Sequence, residues 1–384
     1  MASLKTPNAI LQTQREAVMS MRRVESYLNR LLGKPVHVTG IKPLGAAESS
    51  NTDVPGEKEY GYGKPVRITY EVDGVKHDVV LHTMKPGPFG HEHMSDRAAE
   101  MLWSHEAFNH LPQHVRSLDV GAFDHRDGLR SLGDVDEVFL LTEYVAGHEY
   151  ADDLHRLRDL ASPSQLDLDR ADALCDYLVN LHRSHVHRAD LYVRRVRELV
   201  GHGECIMGLI DSYPREHPWI TPRRLEAMEK KAVAWRWRLK KHTYRLRSVH
   251  GDFHPWNILF RDGVDFRLLD RSRGEFGDPA DDVTSLTMNY VFESVQATGR
   301  VMGPLGEIFH RFWDRYIKRS GDYEMMEVAG PFVAFRGLVM ASPVWYPHLD
   351  DGVRRRMLSL VDAALDETHF EPGNINDYLE RDIN

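Results

Sequence analysis

Three oxygen-bearing side chains near residue 260 have types and spacings that suit phosphoryl transfer. Asp252 and Asn257 lie in the run His250-Gly-Asp-Phe-His-Pro-Trp-Asn257, and Asp270 follows. Phosphoryl transfer from ATP needs a carboxylate that orients the attacking hydroxyl, and an amide oxygen and a second carboxylate that hold Mg²⁺. The kinase catalytic loop has the same five-residue gap between its Asp and its Asn.

A β-hairpin is predicted to bring these three side chains together. Ile258-Leu-Phe260 indicates a first strand, and Val264, Phe266 and Leu268 indicate a second. Asp262-Gly263 between them favours a tight turn, because this pair readily adopts positive φ. The chain folds back at the turn, so the oxygens of Asp252, Asn257 and Asp270 are expected to face one cleft.

This run resembles the catalytic loop of the aminoglycoside phosphotransferase and choline kinase family, whose fold is that of the protein kinases. The family pattern His-Gly-Asp-x-x-x-x-Asn is matched from His250 to Asn257. Leu268-Leu-Asp270, followed by Gly277-Asp-Pro-Ala-Asp-Asp282, resembles its metal-binding segment, and Leu140 to Gly147 resembles its hinge. The landmarks fit over roughly residues 35 to 350.

The resemblance implies a role for each of these positions. Asp252 would be the catalytic base or the carboxylate that positions the hydroxyl. Asn257 and Asp270 would be the Mg²⁺ ligands. The backbone of Glu143 and Val145 would contact the adenine of ATP, or the base of GTP.

The phosphate-binding cation is the main departure from the kinase pattern. A kinase carries a Lys on its third strand that pairs with the phosphates and with a helix Glu. In this sequence that position falls on His82, and Lys85 lies three residues further on. Glu100 is the expected helix partner, with Glu106 as the alternative.

The order of predicted elements indicates an α+β fold with two lobes. Strand signals cluster early and helical periodicity dominates later, which suits a small antiparallel-sheet N-lobe and a larger, mostly helical C-lobe, as in protein kinases. Residues 1–145 are expected to form the nucleotide-binding lobe, and residues 146–384 the catalytic and substrate-binding lobe. Helices are predicted over 9–32, 95–110 (with Ser95 as N-cap), 165–187, 305–319 and 353–365. Strands are predicted over 36–38, 66–70, 79–84 and 138–145, with Asp73-Gly74 as the hairpin turn between the second and the third.

Composition limits the possible partners. The net charge of −9 argues against general nucleic-acid binding, and the basic stretch 223–247 is interpreted as a solvated amphipathic helix. No apolar run is long enough to cross a membrane, and the first residues lack a signal-peptide core. Cys175 and Cys205 suit a reducing cytoplasm. A small-molecule hydroxyl acceptor is the partner that the family resemblance implies, and the oligomeric state stays open.

The sequence constrains the identity of the acceptor less than it constrains the catalytic residues. Members of the resembling family phosphorylate aminoglycosides, choline, ethanolamine and amino sugars, and cationic acceptors are held by carboxylates and aromatic rings. The candidates for such contacts are Glu275, Asp281, Glu293 and the pair Trp345-Tyr346. The basic region between Arg188 and Arg247 does not favour a polycationic antibiotic, so a neutral or anionic metabolite stays open.

Two other functions are compatible with the sequence. His82 at the lysine position is compatible with a non-catalytic, nucleotide-binding pseudokinase. His250 and His254 flank Asp252 and could bind zinc in a metallohydrolase. That interpretation leaves Asn257 and the hinge-like segment without a role.

Overall fold

The computed structural model describes residues 20–43, 65–87, 89–124, 128–135, 137–214 and 219–381. The chain divides into two compact units, Met1–Thr142 and Glu143–Asn384. The first unit contains small antiparallel sheets and the second is mostly helical, which confirms the predicted α+β class.

The first unit is built around a three-stranded antiparallel sheet in the order β1-β2-β3. Its turn at Asp73-Gly74 has φ angles of 52° and 77°, so the predicted hairpin is confirmed. Val24 and Leu28 of the first helix pack with Ile68 of the sheet in a small buried cluster. The elements are α1 (Met21–Leu32), β1 (His37–Pro43), β2 (Val66–Val72), β3 (Val75–Leu81), α2 (Met94–His110), β4 (Gly121–Asp124) and β5 (Gly128–Ser131).

Several predicted boundaries in this unit are wrong. The third strand ends at Leu81, three residues early. Helix α2 begins one residue before Ser95, because the backbone N–H of His93 donates to the Asp96 carboxylate at 2.7 Å and so starts the helix there. The predicted helix over 9–32 is observed from Met21 onward, and positions 9–19 lie outside the described residues.

The strand predicted over 138–145 is also wrong. Residues 137–147 are irregular, and none of them pairs with another strand in the described chain. Phe139 and Tyr144 are 89% and 91% exposed. A high β-propensity stabilises a strand only when a neighbouring strand supplies the ladder, and propensity alone does not provide that neighbour.

The helical unit is organised around one long helix that is buried on all sides. Every residue of this helix from Pro279 to Val295 is buried. The unit comprises β6 (His148–Glu149), α3 (Tyr150–Leu157), α4 (Gln165–Leu181), α5 (Ala189–Gly201), α6 (Ile206–Ser212), α7 (Pro222–Leu239), β7 (Arg247–Ser248), β8 (Ile258–Phe260), β9 (Phe266–Leu268), β10 (Phe276–Gly277), α8 (Pro279–Thr298), α9 (Gly303–Ser320), α10 (Met325–Val328), α11 (Gly330–Ala341), α12 (Asp351–Asp366) and α13 (Ile375–Glu380). Helices α9, α11 and α12 pack against α8, and α4 packs against α9.

The basic stretch forms the amphipathic helix α7 only as far as Leu239, so the prediction is confirmed up to that residue; the remainder contains a 3-10 turn at Thr243–Arg245 and β7. Thr221 caps the N-terminus of α7 by accepting a hydrogen bond from the backbone of Arg224, and Pro222 takes the first helical position. Met228 and Trp235 are buried, whereas Trp237 is 64% exposed. In the parts of the chain that the structure describes, no helix is both long and apolar enough to cross a membrane.

Two short antiparallel pairings set up the candidate site. Strands β8 and β9 form the predicted hairpin, with Ile258 opposite Leu268, and Gly263 in the turn has φ of 60°. Strand β7 pairs with β10, so Ser248 lies opposite Phe276. This second pairing holds the start of the catalytic run beside the start of α8.

Candidate active site

The backbone of the candidate catalytic loop, His250–Asn257, is anchored by a carboxylate from the first turn of α8. Asp282 is fully buried and accepts hydrogen bonds from the backbone N–H groups of His250 at 2.8 Å and Gly251 at 2.7 Å. His182 lies 3.1 Å from the same carboxylate. Burial alone would raise the pKa of Asp282, but His182 and the two backbone donors hold it below its ordinary value. The loop therefore depends on an ionised Asp282 for its conformation.

Asp278 directly follows strand β10 and fixes the end of that strand at the start of α8. Its carboxylate caps α8 at Ala280 and receives a two-armed contact from Arg245, at 2.9 and 3.0 Å. The hydroxyl of Tyr192 donates to it at 2.8 Å. The carboxylates of Asp278 and Asp282 thus act as internal supports of the helical unit.

Asp252 is held by a buried arginine. Arg336 of α11 donates from Nη1 to Asp252 Oδ1 at 2.7 Å and from Nη2 to Asp281 Oδ1 at 2.8 Å. Burial would raise the pKa of Asp252, yet the charges of Arg336 and Arg273 hold it below the ordinary value. Asp252 is therefore ionised at neutral pH.

The second oxygen of Asp252 is not engaged in a short hydrogen bond. His254 Nε2 lies 3.6 Å and Arg273 Nε lies 3.7 Å from Asp252 Oδ2. These separations exceed the usual hydrogen-bond length, so Oδ2 retains lone pairs that a hydroxyl can approach. Burial lowers the pKa of His254, with added repulsion from Arg336, so this ring is neutral at pH 7.

Asn257 lies on the same loop, and its amide is oriented by the backbone. Its Nδ2 donates to the carbonyl oxygen of Asp252 at 3.0 Å, which leaves the side-chain oxygen free to bind a ligand. The N–H of Leu269 donates to the carbonyl of Asn257 at 2.9 Å and so ties Asp270 to the loop. Asp270 has φ of 46°, and its Oδ1 accepts from the N–H of Ser272 at 3.1 Å. An amide and a carboxylate oxygen are the donor types that Mg²⁺ prefers.

The residues expected to contact the phosphates and the adenine are mostly exposed, unlike Asp252. His82 and Lys85 follow β3 and are exposed, as is Glu100 on α2. Within the described residues no ion pair joins Glu100 to either of them. Glu143 and Val145 lie in the irregular segment before β6.

The carboxylates expected to hold a cationic acceptor are mostly engaged elsewhere. Asp281 pairs with Arg336, and Glu293 is buried in an ion pair with Arg158. Burial raises the pKa of Glu293 even though Arg158 opposes this. Glu275 alone among the three is exposed.

The two aromatic candidates for a cationic acceptor differ in their packing. Tyr346 packs edge-on against Phe292, with ring centroids 4.9 Å apart. Trp345 is 64% exposed.

Two arginines near Asp252 did not emerge from the sequence patterns. Arg336 is the single charged residue in the apolar helix α11, and such an isolated charge is a signal that could have identified it. Arg273 follows Asp270 closely in the run Asp270-Arg-Ser-Arg273. Neither belongs to the loop motif, so spacing alone did not connect them with Asp252.

The zinc interpretation has little support in the local contacts. His250 is buried, its Nδ1 accepts from the backbone N–H of Asp252 at 3.3 Å, and its ring packs edge-on against Phe253. His250 therefore acts within the loop rather than presenting that nitrogen to a ligand. A search of the described residues finds no group of three or more His, Cys, Asp or Glu that could hold a metal ion.

Similarity to known proteins agrees with the catalytic-loop pattern. A model of the phosphotransferase enzyme family (APH) matches residues 73–317, more than half of the chain. No curated protein matches the chain significantly.

Solved structures resemble the chain at low identity. A glucosamine kinase in complex with glucosamine, ADP and inorganic phosphate is 20% identical with a TM-score of 0.38, over 56% of this chain and 59% of that chain. Choline kinase LicA from Streptococcus pneumoniae is 11% identical with a TM-score of 0.32, over 90% of this chain and 98% of that chain. The ADP-bound aminoglycoside phosphotransferase APH(2'')-Ib is 12% identical with a TM-score of 0.33, over 89% and 95%. The chain thus spans about 59% of the length of that glucosamine kinase.

Proposed function

Because the chain belongs to the phosphotransferase enzyme family, as the catalytic-loop motif predicted, we propose that it is a small-molecule kinase. It transfers the γ-phosphoryl group of ATP or GTP, with Mg²⁺, to a hydroxyl group of a small acceptor. One observation carries this proposal. Asp252 is buried and ionised with one oxygen open, and the same loop presents the free amide oxygen of Asn257.

Asp252 orients the acceptor in this mechanism. Its Oδ2 accepts a hydrogen bond from the acceptor hydroxyl and aims the hydroxyl oxygen at the γ-phosphorus. Because Arg336 keeps the pKa of Asp252 low, the carboxylate is a weak base. The hydroxyl proton therefore moves to it only as the new P–O bond forms and the nucleoside diphosphate leaves.

The nucleotide and its metal are assigned to the remaining candidates. Asn257 and Asp270 would hold Mg²⁺, which when bound neutralises charge on the β- and γ-phosphates. The backbone of Glu143 and Val145 would contact the base, and His82 or Lys85, with Glu100 as partner, would meet the phosphates. Cys175 and Cys205 are unpaired and buried, which suits the reducing cytoplasm that we propose as the location.

Replacing Asp252 by Asn tests the proposal. We expect turnover to fall by roughly 10²–10⁴-fold, the usual worth of a general base, because the neutral amide orients the hydroxyl poorly and cannot take its proton. Mg²⁺-dependent stabilisation by ATP or GTP should persist in this variant. Thermal shift would measure nucleotide binding, and ADP or GDP release with a panel of hydroxylated amines, sugars and acids would measure turnover.

Asp262→Asn is the matched control, because Asp262 is an exposed carboxylate in the turn of the same hairpin. The control should retain wild-type turnover. Near-wild-type turnover in Asp252→Asn would contradict the assigned role of Asp252. Nucleotide binding without turnover on any acceptor would favour the pseudokinase, and no nucleotide binding at millimolar concentration would overturn the kinase proposal.

A further inference from the structure

We propose that the acceptor is an anion, a hydroxylated carboxylate or phosphate ester whose negative group binds Arg273. The inference rests on the kinase function proposed above, and it specifies the chemical class of the acceptor. An anionic acceptor differs from the cationic acceptors that the sequence suggests. The charges around Asp252 are the reason for proposing an anion instead.

Two of the three candidate carboxylates for a cation, Asp281 and Glu293, are already paired with arginines, and the third, Glu275, is exposed. Asp281 is bound by Arg336 at 2.8 Å, and Glu293 by Arg158 inside the helical unit. A cationic acceptor could use either carboxylate only by displacing an arginine from it. This would leave Arg158 without its carboxylate partner, or the buried Arg336 with Asp252 alone. Such an exchange is unfavourable because an uncompensated buried charge is costly.

Arg273 is the cation that remains available. Its side chain is only 20% exposed, and its nearest carboxylate contact is the 3.7 Å approach of Nε to Asp252. Nη1 lies 3.7 Å from the sulfur of Cys205, and burial raises the pKa of that thiol to about 11, so the sulfur carries no charge at pH 7. The guanidinium therefore has donor capacity that an anion can use in a charge-assisted contact.

The neighbouring arginines already make short hydrogen bonds or ion pairs. Arg271 donates to the carbonyl oxygens of Val249 and Glu275, which holds the segment against β7. Arg195 pairs with Glu198 at 2.7 Å. Of these three arginines, Arg273 is the one whose described polar contacts are all as long as 3.7 Å.

Arg273 also lies where an acceptor must bind. Its Nε is 3.7 Å from the open oxygen of Asp252, and its guanidinium lies 5.0 Å from the ring centroid of Phe335, which limits its movement. The backbone of Gly251, with φ of 86°, passes so close that a Cβ there would lie 3.3 Å from the Cβ of Arg273. A small molecule can therefore place its hydroxyl at Asp252 and its negative group at Arg273.

Four small probes that share a hydroxyl but differ in charge test this inference. Glycerate carries a carboxylate, glycerol 3-phosphate a phosphate, glycerol no charge and ethanolamine a cation. Each would be titrated by ligand-observed NMR into the full chain with Mg²⁺ and a non-hydrolysable ATP analogue, so that no probe occupies the γ-phosphate position. We expect at least one anionic probe to bind, and to bind about 10- to 100-fold more weakly to Arg273→Gln, since a charged hydrogen bond contributes roughly 1.5–3 kcal/mol. Comparing the two anions identifies the carboxylate or the phosphate as the preferred group.

Two further variants separate local recognition from a change in net charge. Arg273→Lys should bind the anion with intermediate affinity, because it keeps the charge and loses the fork. Arg267→Gln removes an exposed arginine from β9 and should behave as wild type. Any of three results overturns the inference. Neither anion binds wild type, or the anion that binds wild type binds Arg273→Gln equally well, or ethanolamine binds wild type more tightly than either anion. Binding of the ATP analogue is measured first. If the analogue does not bind, the kinase proposal fails separately, and in that case the Arg273 comparison is made without nucleotide.

Discussion

The two units of the chain differ in how firmly their candidate residues are held. In Glu143–Asn384, Asp252 is fixed by Arg336, and the loop that carries it is fixed by Asp282. In Met1–Thr142, His82 and Lys85 are exposed, and the buried cluster described there comprises seven side chains. The comparison teaches that Asp252 and its loop are preorganised by buried charged groups, Arg336 and Asp282. We expect the phosphate-side groups to be ordered by the nucleotide itself.

Removing Arg336 should have the largest effect on stability. Arg336→Met leaves Asp252 and Asp281 buried without their partner, so we expect a loss of about 3–5 kcal/mol in the free energy of unfolding. Urea denaturation of the purified chain would measure it. Lys85→Met is the matched control in the first unit and should change stability by less than about 0.5 kcal/mol, as for most exposed residues.

Arg336→Met combined with Asp281→Asn sharpens this test. The second substitution removes one of the two orphaned carboxylates, so the double variant should be more stable than Arg336→Met alone. Equal stability of wild type and Arg336→Met would break the comparison, since it would mean that the buried pairs contribute nothing to the helical unit.

The pH dependence of turnover tests the ionisation of Asp252 in the helical unit. Because the pKa of Asp252 lies below its ordinary value in the folded protein, its ionised form persists as pH falls through 5. Its contribution to stability is likewise present above the unfolded pKa, near 3.9, and is lost as pH falls through the lower folded value. We therefore expect no decline in kcat/KM between pH 8 and 5 that is due to Asp252.

Arg336→Lys should move the acid limb of that profile upward. Lysine keeps a charge but cannot contact both carboxylates with a rigid fork, so burial raises the pKa of Asp252 with less opposition. Steady-state rates from pH 4 to 8 for both proteins would measure the shift. An identical acid limb in the two proteins would show that Arg336 does not control the ionisation of Asp252.

Substitutions at the phosphate-side candidates should have the smallest effect on stability and a selective effect on nucleotide use. Whichever of His82→Ala and Lys85→Ala removes the phosphate contact should raise the KM for nucleotide by about 10-fold or more, the loss of roughly 1.5–3 kcal/mol of charged hydrogen bonding. The other variant should behave as wild type. If neither changes this KM, the phosphates are bound by other residues.

The sequence predicted those parts of the fold that depend on local patterns. The β8–β9 hairpin, the turn at Asp73-Gly74 and the amphipathic helix α7 follow from turn chemistry and periodicity, and all three are confirmed. The strand over 138–145 was wrong because a strand requires a partner that its own residues do not specify.

The same distinction between local patterns and long-range contacts applies to the candidate site. The spacing of Asp252 and Asn257 was visible within one loop, and the hydrogen bond between them is local. The contact between Asp252 and Arg336 joins residues 84 positions apart, so no local pattern connected them. Long-range charge pairing, which sets the ionisation of Asp252 and the charge of the site, became visible only in the folded chain.

The hydrogen bonds between the candidate catalytic loop and α8 have a consequence for the exchange of amide protons with solvent. The amide protons of His250 and Gly251 are bonded to Asp282, on a helix whose first seventeen residues, Pro279 to Val295, are buried on every face. We expect such amides to exchange slowly, because the carboxylate that accepts from them is held on a helix that is packed into the core. Their exchange should follow the global unfolding of the helical unit, and the loop should keep its conformation until that unit melts as a whole.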